Sequence, residues 1–538
     1  MHYKLDLQQR LVMPIAILAF LIPICIIEMQ VMSYTKGVFV YPLDDSFIHM
    51  SISKNLVSNN TWGVSPHEFA SASSSIAYPL ILAGAYVIFG YSITIPFFIN
   101  LICGIILLIA ITRFLRANAL NPTQQITILL ITIYLVPLPV IVIIGMEHTL
   151  QILFCFLFIV KYIDWITILQ EQVEKKCEIP FSLCLLGAAV TAIRYEGVFL
   201  IFLACLHLVY LKKWRFSYQL GLLSIMPVFI FGFYAIYKGS YFLPNPVLIK
   251  SLTGSAGESR LKLFTDGLFN RLYYLSPSAS TSALERLIIL LPAAYLFFLR
   301  FTVHEYKLRL FIIFLTLGTL LHLSFGKTTW FFRYEVYLLA PSVVLLSILA
   351  LKYRTEILKD MTLITKMVLI FLSLSYFTPL IFRSRQAFQV TPGACINIYG
   401  QQYQAGLFLH KYYDSSTIAV NDVGAMSFFT SGKKVDMLGL GNIDFARSIR
   451  NHYLNEVFID SMVKKNGIKI AILSNMWAGQ SLFPLWRKVA DWHSDKELII
   501  GSPDIFFYAV DTAQTTELKR NLLSFEKVLP EGVTAFYY

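Results

Sequence analysis

Apolar runs recur along the first 382 residues, at 11–34, 94–115, 124–143, 147–170, 180–194, 197–211, 217–238, 284–302, 307–325, 331–351 and 363–382. A hydrocarbon core about 30 Å thick needs roughly 20 apolar residues per perpendicular helix, and several of these runs are somewhat shorter. In lipid every backbone polar group must be satisfied internally, which leaves helices or closed barrels. Apolar runs of this length point to helices. Composition agrees: the 538 residues are 57% hydrophobic and 14% charged, with mean hydropathy +0.64. A soluble domain sits near about 45–50% apolar and about 25% charged. The first run is longer than a signal-peptide core and no small-residue cleavage site follows it, so it reads as a retained span.

Charge orients the chain. A further apolar segment, 76–90, is only about 15 residues long and follows the polar run Ser71-Ala72-Ser73-Ser74-Ser75, which favours a helix lying in the interface. With 76–90 not crossing and the N-terminus cytoplasmic, five basic groups face the cytoplasm. They are Arg113/Arg116, Lys175/Lys176, Lys212/Lys213/Arg215, Arg300/Lys307/Arg309 and Lys352/Arg354/Lys359, as the positive-inside rule asks. The net charge of +12 is then largely topological, and no nucleic-acid partner is implied. The same topology puts Asp44-Asp45, Gly145-Met146-Glu147-His148, Arg194-Tyr195-Glu196-Gly197, Pro244-Asn245-Pro246 with Lys250, and Arg333-Tyr334-Glu335 on the outer face. An odd number of spans places the C-terminus there too.

From about residue 383 the composition becomes that of a soluble domain. Runs at 418–420, 468–473, 498–500 and 505–510 read as strands. Asn421-Asp422-Val423-Gly424 and Leu438-Gly439-Leu440-Gly441 read as turns closing them. A small extracytoplasmic α/β domain over 383–538 follows, with Trp477, Trp486 and Trp492 assigned to its core. Five of the seven cysteines (Cys25, Cys103, Cys155, Cys184 and Cys205) lie in apolar runs, Cys177 in a basic loop and Cys395 in the C-terminal part. No disulfide framework is implied.

Within the outer loop 35–93, two adjacent carboxylates at a membrane mouth are costly unless they bind a cation or move protons. A solvated loop is the plainer alternative for Asp44-Asp45. Residues 46–59 read as an amphipathic helix with Phe47, Ile48, Ile52, Leu56 and Val57 near one face. With 76–90 this makes two in-plane helices. Glu147 and His148 occupy a hairpin between spans. Arg194 and Glu196 interrupt two short spans, where such charges pair or face a watery cavity. Arg194, Lys250 and Arg333 are candidate phosphate ligands, since a planar guanidinium matches two phosphate oxygens. Internal pairs Arg194–Glu196 and Arg333–Glu335 are the structural alternative. His207 and His322 read as packed polar residues.

The stretches Leu43-Asp44-Asp45-Ser46-Phe47-Ile48, Phe69 to Ser75, Gly145-Met146-Glu147, Arg194-Tyr195-Glu196-Gly197, Leu243-Pro244-Asn245-Pro246 with Lys250, and Arg333-Tyr334 resemble the GT-C superfamily of polyprenyl-phosphate-sugar glycosyltransferases. Within it the chain is most similar to the arabinofuranosyltransferase B-like and Legionella LphB-like membrane proteins. The resemblance covers most of residues 40–340. The C-terminal part, with Asn421 to Ala425 and Asp436 to Leu440, is similar to that group's extracytoplasmic domain. It implies a bacterial inner-membrane enzyme of GT-C type, with about eleven spans and two juxtamembrane helices. That enzyme would transfer a sugar, with inversion, from a polyprenyl-phosphate donor to an envelope glycan or glycolipid on the periplasmic face. Carried over, Asp44 is the general base and Asp45 orients the acceptor or a divalent cation. Glu147, His148, Arg194, Glu196, Asn245, Lys250, Arg333 and Tyr334 would bind substrate. Two departures, Ser46-Phe47 after the Asp pair and the serine-rich 71–75, bear on the identity of the sugar. A lipid-linked-sugar transporter or flippase would need charges spread through the spans. A non-catalytic envelope scaffold with a glycan-binding outer domain would tolerate loss of both Asp.

Overall fold

The computed structural model describes residues 2–171, 178–250, 282–300, 303, 305–327, 330–353, 358–359, 361–474, 486–495 and 502–538. Lys175, Lys176, Cys177, Arg354, Trp477 and the run 498–500 lie outside them, as does the Lys250 side chain. Among the described residues six helices are long and apolar enough to cross a membrane. They are Gln8–Tyr34, Ile95–Ala117, His148–Glu171, Trp214–Tyr237, Tyr306–Phe325 and the continuous stretch Leu363–Tyr413. The other five expected spans correspond to the shorter apolar helices Pro122–Leu135, Phe181–Ile193, Tyr195–Tyr210, Leu291–Arg300 and Val336–Lys352. Expected span 124–143 breaks at Pro137 and resumes as Leu138–Ile143. The 76–90 segment forms Ala77–Phe89, about 20 Å long and too short to cross upright.

The expected domain boundary at 382 falls inside one helix, Leu363–Ile398. Arg383 looks like the start of a polar region in sequence, but it is buried and pairs with Glu335, which lets the helix run on. Through a π turn and helix Gln404–Tyr413 this element carries the bundle into the C-terminal domain. There six strands form one sheet: β1 (Ile418–Val420), β2 (Lys434–Asp436), β3 (Ile470–Ser474), β4 (Arg487–Ser494), β5 (Asp504–Ala509) and β6 (Val533–Tyr537). Their order is β2-β1-β3-β5-β4-β6. β1 runs parallel to β2 and β3, and the β3-β5, β5-β4 and β4-β6 pairs are antiparallel. β1 and β3 are buried on both faces, which is why they read as continuous apolar runs. Trp486 and Trp492 are core residues as expected.

The helix Asp45–Asn59 departs from the amphipathic reading. That reading calls for one solvated face, yet Ser46 to Ser53 and Asn55 are all buried. The reason is a second covering. Ile48 and Ile52 share a core with Val228, Phe408 and Met426, while Phe47 and Met50 share one with Ala425 and Phe428. Ser51 Oγ donates to the Gly424 carbonyl at 3.3 Å and Lys54 Nζ to the Phe428 carbonyl at 2.8 Å. The segment carrying Asp44 and helix Asp45–Asn59 is therefore sandwiched between the bundle and the C-terminal domain.

Candidate active site

The two adjacent aspartates do different jobs because the chain turns between them. Asp44 ends the loop and Asp45 opens the helix. Asp44 turns towards the C-terminal domain: its Oδ2 accepts the Gly424 N–H at 2.7 Å and its Oδ1 the Ala425 N–H at 2.8 Å. These N–H groups open helix Gly424–Phe429, where the first donors have no intrahelical partner. Gly424 has no Cβ for a reason: one added there would lie 2.1 Å from the Asp44 carbonyl oxygen and 2.7 Å from Oδ2. Burial, and then the charge of Asp422, push the Asp44 carboxyl up to about 7 against the lowering effect of the two N–H donors. Asp45 is the lesser of its two acidic neighbours. Asp422, whose Oδ2 accepts from Gln402 Nε2 at 3.1 Å, is itself raised by burial.

Asp45 instead lines a cavity of about 450 Å³. Its Oδ2 accepts from Arg333 Nη2 at 2.5 Å. Arg333 also contacts the Tyr334 hydroxyl at 3.2 Å and the Met146 sulfur at 2.6 Å, and its guanidinium sits 5.0 Å from the centre of the Tyr334 ring. The backbone just before it is unusual, with Phe331 and Phe332 at φ 49° and 59°, a left-handed conformation bulky residues seldom adopt. Arg383 Nη2 donates to the Phe332 carbonyl at 2.8 Å and holds that turn. The internal Arg333–Glu335 pair does not form, because Glu335 is taken by Arg383 and Arg333 by Asp45.

On the opposite wall Arg194 sits where helix Phe181–Ile193 stops and a single 3-10 turn begins. It is bidentate to Glu196 at 3.0 and 2.7 Å, so this internal pair does form, and it reaches Glu147 Oε1 at 2.6 Å. Glu147 and His148 are fully buried behind it. His148 Nε2 lies 3.3 Å from Arg194 Nη1. Glu147 Oε2 meets His49 Nε2 at 3.2 Å, and His49 Nδ1 meets Ser73 Oγ at 3.1 Å. Burial alone would raise the Glu147 carboxyl, but His49, Arg194 and His148 hold it well below the usual range. Ser74 Oγ donates to Glu147 at 3.1 Å, so the serine-rich run wires this wall together. Asn245 is buried just behind the cavity, its N–H on the Ser71 carbonyl at 3.0 Å and its Nδ2 on the Leu440 carbonyl at 3.2 Å.

The cavity thus gathers Asp45, Arg194, Glu196, Arg333 and Tyr334 on its surface, with Val198, Phe199, Ile225 and Val228 as apolar wall and Leu440 contributed by the C-terminal domain. Asp44, Glu147, His148 and Asn245 stand behind it. Three residues of the site carried no local signal in sequence: His49, Lys327 and Asp422. His49 and Lys327 line the cavity. Among the described residues Lys327 has no carboxylate within ion-pair distance, whereas Arg194 and Arg333 are each compensated. His207 and His322 are packed, against Tyr162 and Tyr337 respectively. The Asp pair does not fit a divalent cation: Asp44 spends both oxygens on N–H donors and Asp45 faces a guanidinium, whereas such ions need several free oxygens.

Residues 396–514 match a family model described as a domain of unknown function, DUF8728. No curated protein matches the chain. Among solved structures the chain is similar to the crystal structure of ArnT from Cupriavidus metallidurans bound to undecaprenyl phosphate. The TM-score is 0.50 and the identity 10%, over 91% of this chain and 98% of that one. At such identity the likeness is one of fold: the chain has the GT-C membrane fold, a multi-pass helical bundle followed by a sheet-containing C-terminal domain.

Proposed function

We propose that this protein is a membrane glycosyltransferase that takes a sugar from a polyprenyl-phosphate carrier and passes it to a hydroxyl of an envelope glycan or glycolipid on the periplasmic face of the inner membrane. The observation that carries this reading is the cavity itself, where two carboxylates, Asp45 and Glu196, and three cationic side chains, Arg194, Lys327 and Arg333, face an apolar wall. A phosphate-linked lipid supplies the matching chemistry: an anionic head for the cations and a tail for the wall. The neighbour's bound undecaprenyl phosphate is consistent with it.

In this reading Asp45, rather than Asp44, is the general base, because it is the member of the pair that lines the cavity. The acceptor hydroxyl attacks the anomeric carbon as the bond to the phosphate oxygen breaks. Its proton passes to the Asp45 carboxylate, and the carrier leaves as polyprenyl phosphate. Charge grows on that phosphate, and Arg333 and Lys327 stabilise it. Arg194, already neutralised by Glu147 and Glu196, positions Tyr334 and the wall beneath it. In the resting site Arg333 occupies Asp45. An arriving phosphate draws the guanidinium away and frees the base only when donor is present. The charged groups that line the cavity sit at the ends of their helices rather than along the spans, which favours transfer over transport.

The test is mass spectrometry of envelope glycolipids and polysaccharides from wild type, a deletion strain and Asp45→Asn at matched protein levels. Loss of the same sugar unit from deletion and variant is expected. Unchanged glycans in the variant, with a defect only on deletion, would overturn the catalytic reading in favour of a scaffold.

A further inference from the structure

Helix Trp214–Tyr237 is one of those long and apolar enough to cross a membrane. Its last turn exposes Tyr234 and Tyr237, the latter by 83%, and such aromatics gather at the level of lipid head groups. Lys238 follows at once, exposed, with its Nζ 5.8 Å from the centre of each ring. The chain then folds back. The Phe242 ring packs at 5.7 Å from both Phe229 and Phe233 of the same helix. Gly232 leaves room for it, since a Cβ there would lie 2.4 Å from that ring. Residues 238–242 are thereby held at head-group depth.

The C-terminal domain brings two guanidinium groups to the same place. Helix Ile443–Arg450 is capped by Asn442, whose Oδ1 accepts the Asp444 and Phe445 N–H groups at 3.0 and 3.2 Å. Arg447 and Arg450 are three residues apart on it and so share a face. Both lie over the Tyr241 ring, 5.9 and 5.2 Å from its centre, and Arg447 Nη2 donates to the Gly239 carbonyl at 2.9 Å. A guanidinium stacked on a ring keeps N–H donors at its edge for phosphate. Among the described residues Asp444 is the one carboxylate ion-paired with this group, 2.8 Å from Lys465 and 4.0 Å from Arg447. The patch is therefore net positive, and it stands at the depth where the membrane presents its own phosphates.

We propose that Lys238, Arg447 and Arg450 grip the phosphate of an anionic phospholipid and so seat the C-terminal domain on the leaflet it faces. Basic side chains at a bilayer surface attract such lipids. The contact reaches the cavity through the chain. Phe242 and Leu243 follow Tyr241, Leu440 stands three residues before helix Ile443–Arg450, and all three line the cavity. A lipid bound here fixes both segments. The site does not depend on sugar transfer being the activity of the cavity.

The experiment is hydrogen–deuterium exchange of the full-length protein in phosphatidylcholine nanodiscs, with and without phosphatidylglycerol. The readout is the slowing of amide exchange in 239–243 and 443–450 that phosphatidylglycerol adds. Each basic residue at the surface is worth about fivefold in lipid affinity, so Arg447→Gln with Arg450→Gln should remove most of that slowing. Arg447→Lys with Arg450→Lys keeps both charges and should retain it. Because the readout is a difference between two lipids, any loosening caused by the lost Gly239 contact itself cancels. Equal exchange of wild type in both lipids, a slowing undiminished in the double Gln variant, or the same slowing produced by inorganic phosphate in phosphatidylcholine alone would each overturn the assignment.

Discussion

The Asp44 carboxylate accepts the Gly424 backbone N–H at 2.7 Å across 380 residues of sequence. This bond, with its twin to Ala425, makes the C-terminal domain part of the structure of the loop that carries the Asp pair. Helix Asp45–Asn59 gains its second covering from the same contact, and the orientation of Asp45 follows from the anchoring of its neighbour. The C-terminal domain is thus a structural condition for the cavity.

Gly424→Ala tests that dependence. The new methyl would fall 2.1 Å from the Asp44 carbonyl, a backbone atom that cannot swing aside. Overpacking of this kind costs about 1–3 kcal/mol. Limited proteolysis between the bundle and the sheet should accelerate, and sugar transfer should fall even though Gly424 lies outside the cavity.

The contact should also respond to pH. The Asp44 carboxyl is raised from its ordinary 3.8 to about 7, so between these values the folded state holds a proton that the unfolded state has lost. Stability from this group is therefore present at low pH and declines as pH rises towards 7. Asp436, raised by burial to about 6, adds to the same slope. Lys434, lowered by burial to about 7, works the other way only above that pH. Melting temperature measured from pH 5 to 8 should fall for wild type, and Asp44→Asn should flatten the slope while lowering stability at the acid end.

Arg333 and Asp45 should be energetically coupled. Each single change, Arg333→Gln or Asp45→Asn, leaves a partner without its counter-charge, most severely the buried guanidinium. The double variant should be less destabilised than the sum of the singles by about 1–3 kcal/mol. Additivity within experimental error would mean that the pair does not hold the site in its resting arrangement.

The buried Arg383–Glu335 pair lies outside the cavity and holds the Phe332 turn. Removing one partner of a buried pair costs about 3–5 kcal/mol. Arg383→Gln should accordingly lower thermal stability strongly, while the Michaelis constant for donor in the surviving folded fraction changes little.

The parts of this site that sequence exposes are those whose oddity is local. Asp44-Asp45 stands out beside an apolar run, and Arg194 and Glu196 stand out because they split one. The Arg194–Glu196 pair is two residues long and could be foreseen. The Asp45–Arg333 pair spans 288 residues, and neither partner signals the other, so Glu335 looks the nearer mate. His49 hides within a helix whose apolar residues suggest plain packing. Asp422 reads as a turn residue because its companion Asp44 lies on another domain. In the sheet, β1 announces itself as an apolar run, whereas β2 is three residues bounded by Lys434 and Asp436 and β6 is a half-exposed edge. The extension of Leu363–Ile398 past 382 was equally hidden, since buried Arg383 mimics a solvated boundary.

The most direct measurement is single-turnover sugar transfer by purified protein from a polyprenyl-phosphate-sugar donor, comparing Asp45→Asn with Asp44→Asn at equal folded fraction. Loss of a general base costs about 10²–10⁴ in rate. The account predicts that loss for Asp45→Asn with donor binding retained, and a smaller loss for Asp44→Asn that tracks its instability. Near-normal turnover by Asp45→Asn alongside an inactive, stably folded Asp44→Asn would contradict it and return the role of base to Asp44.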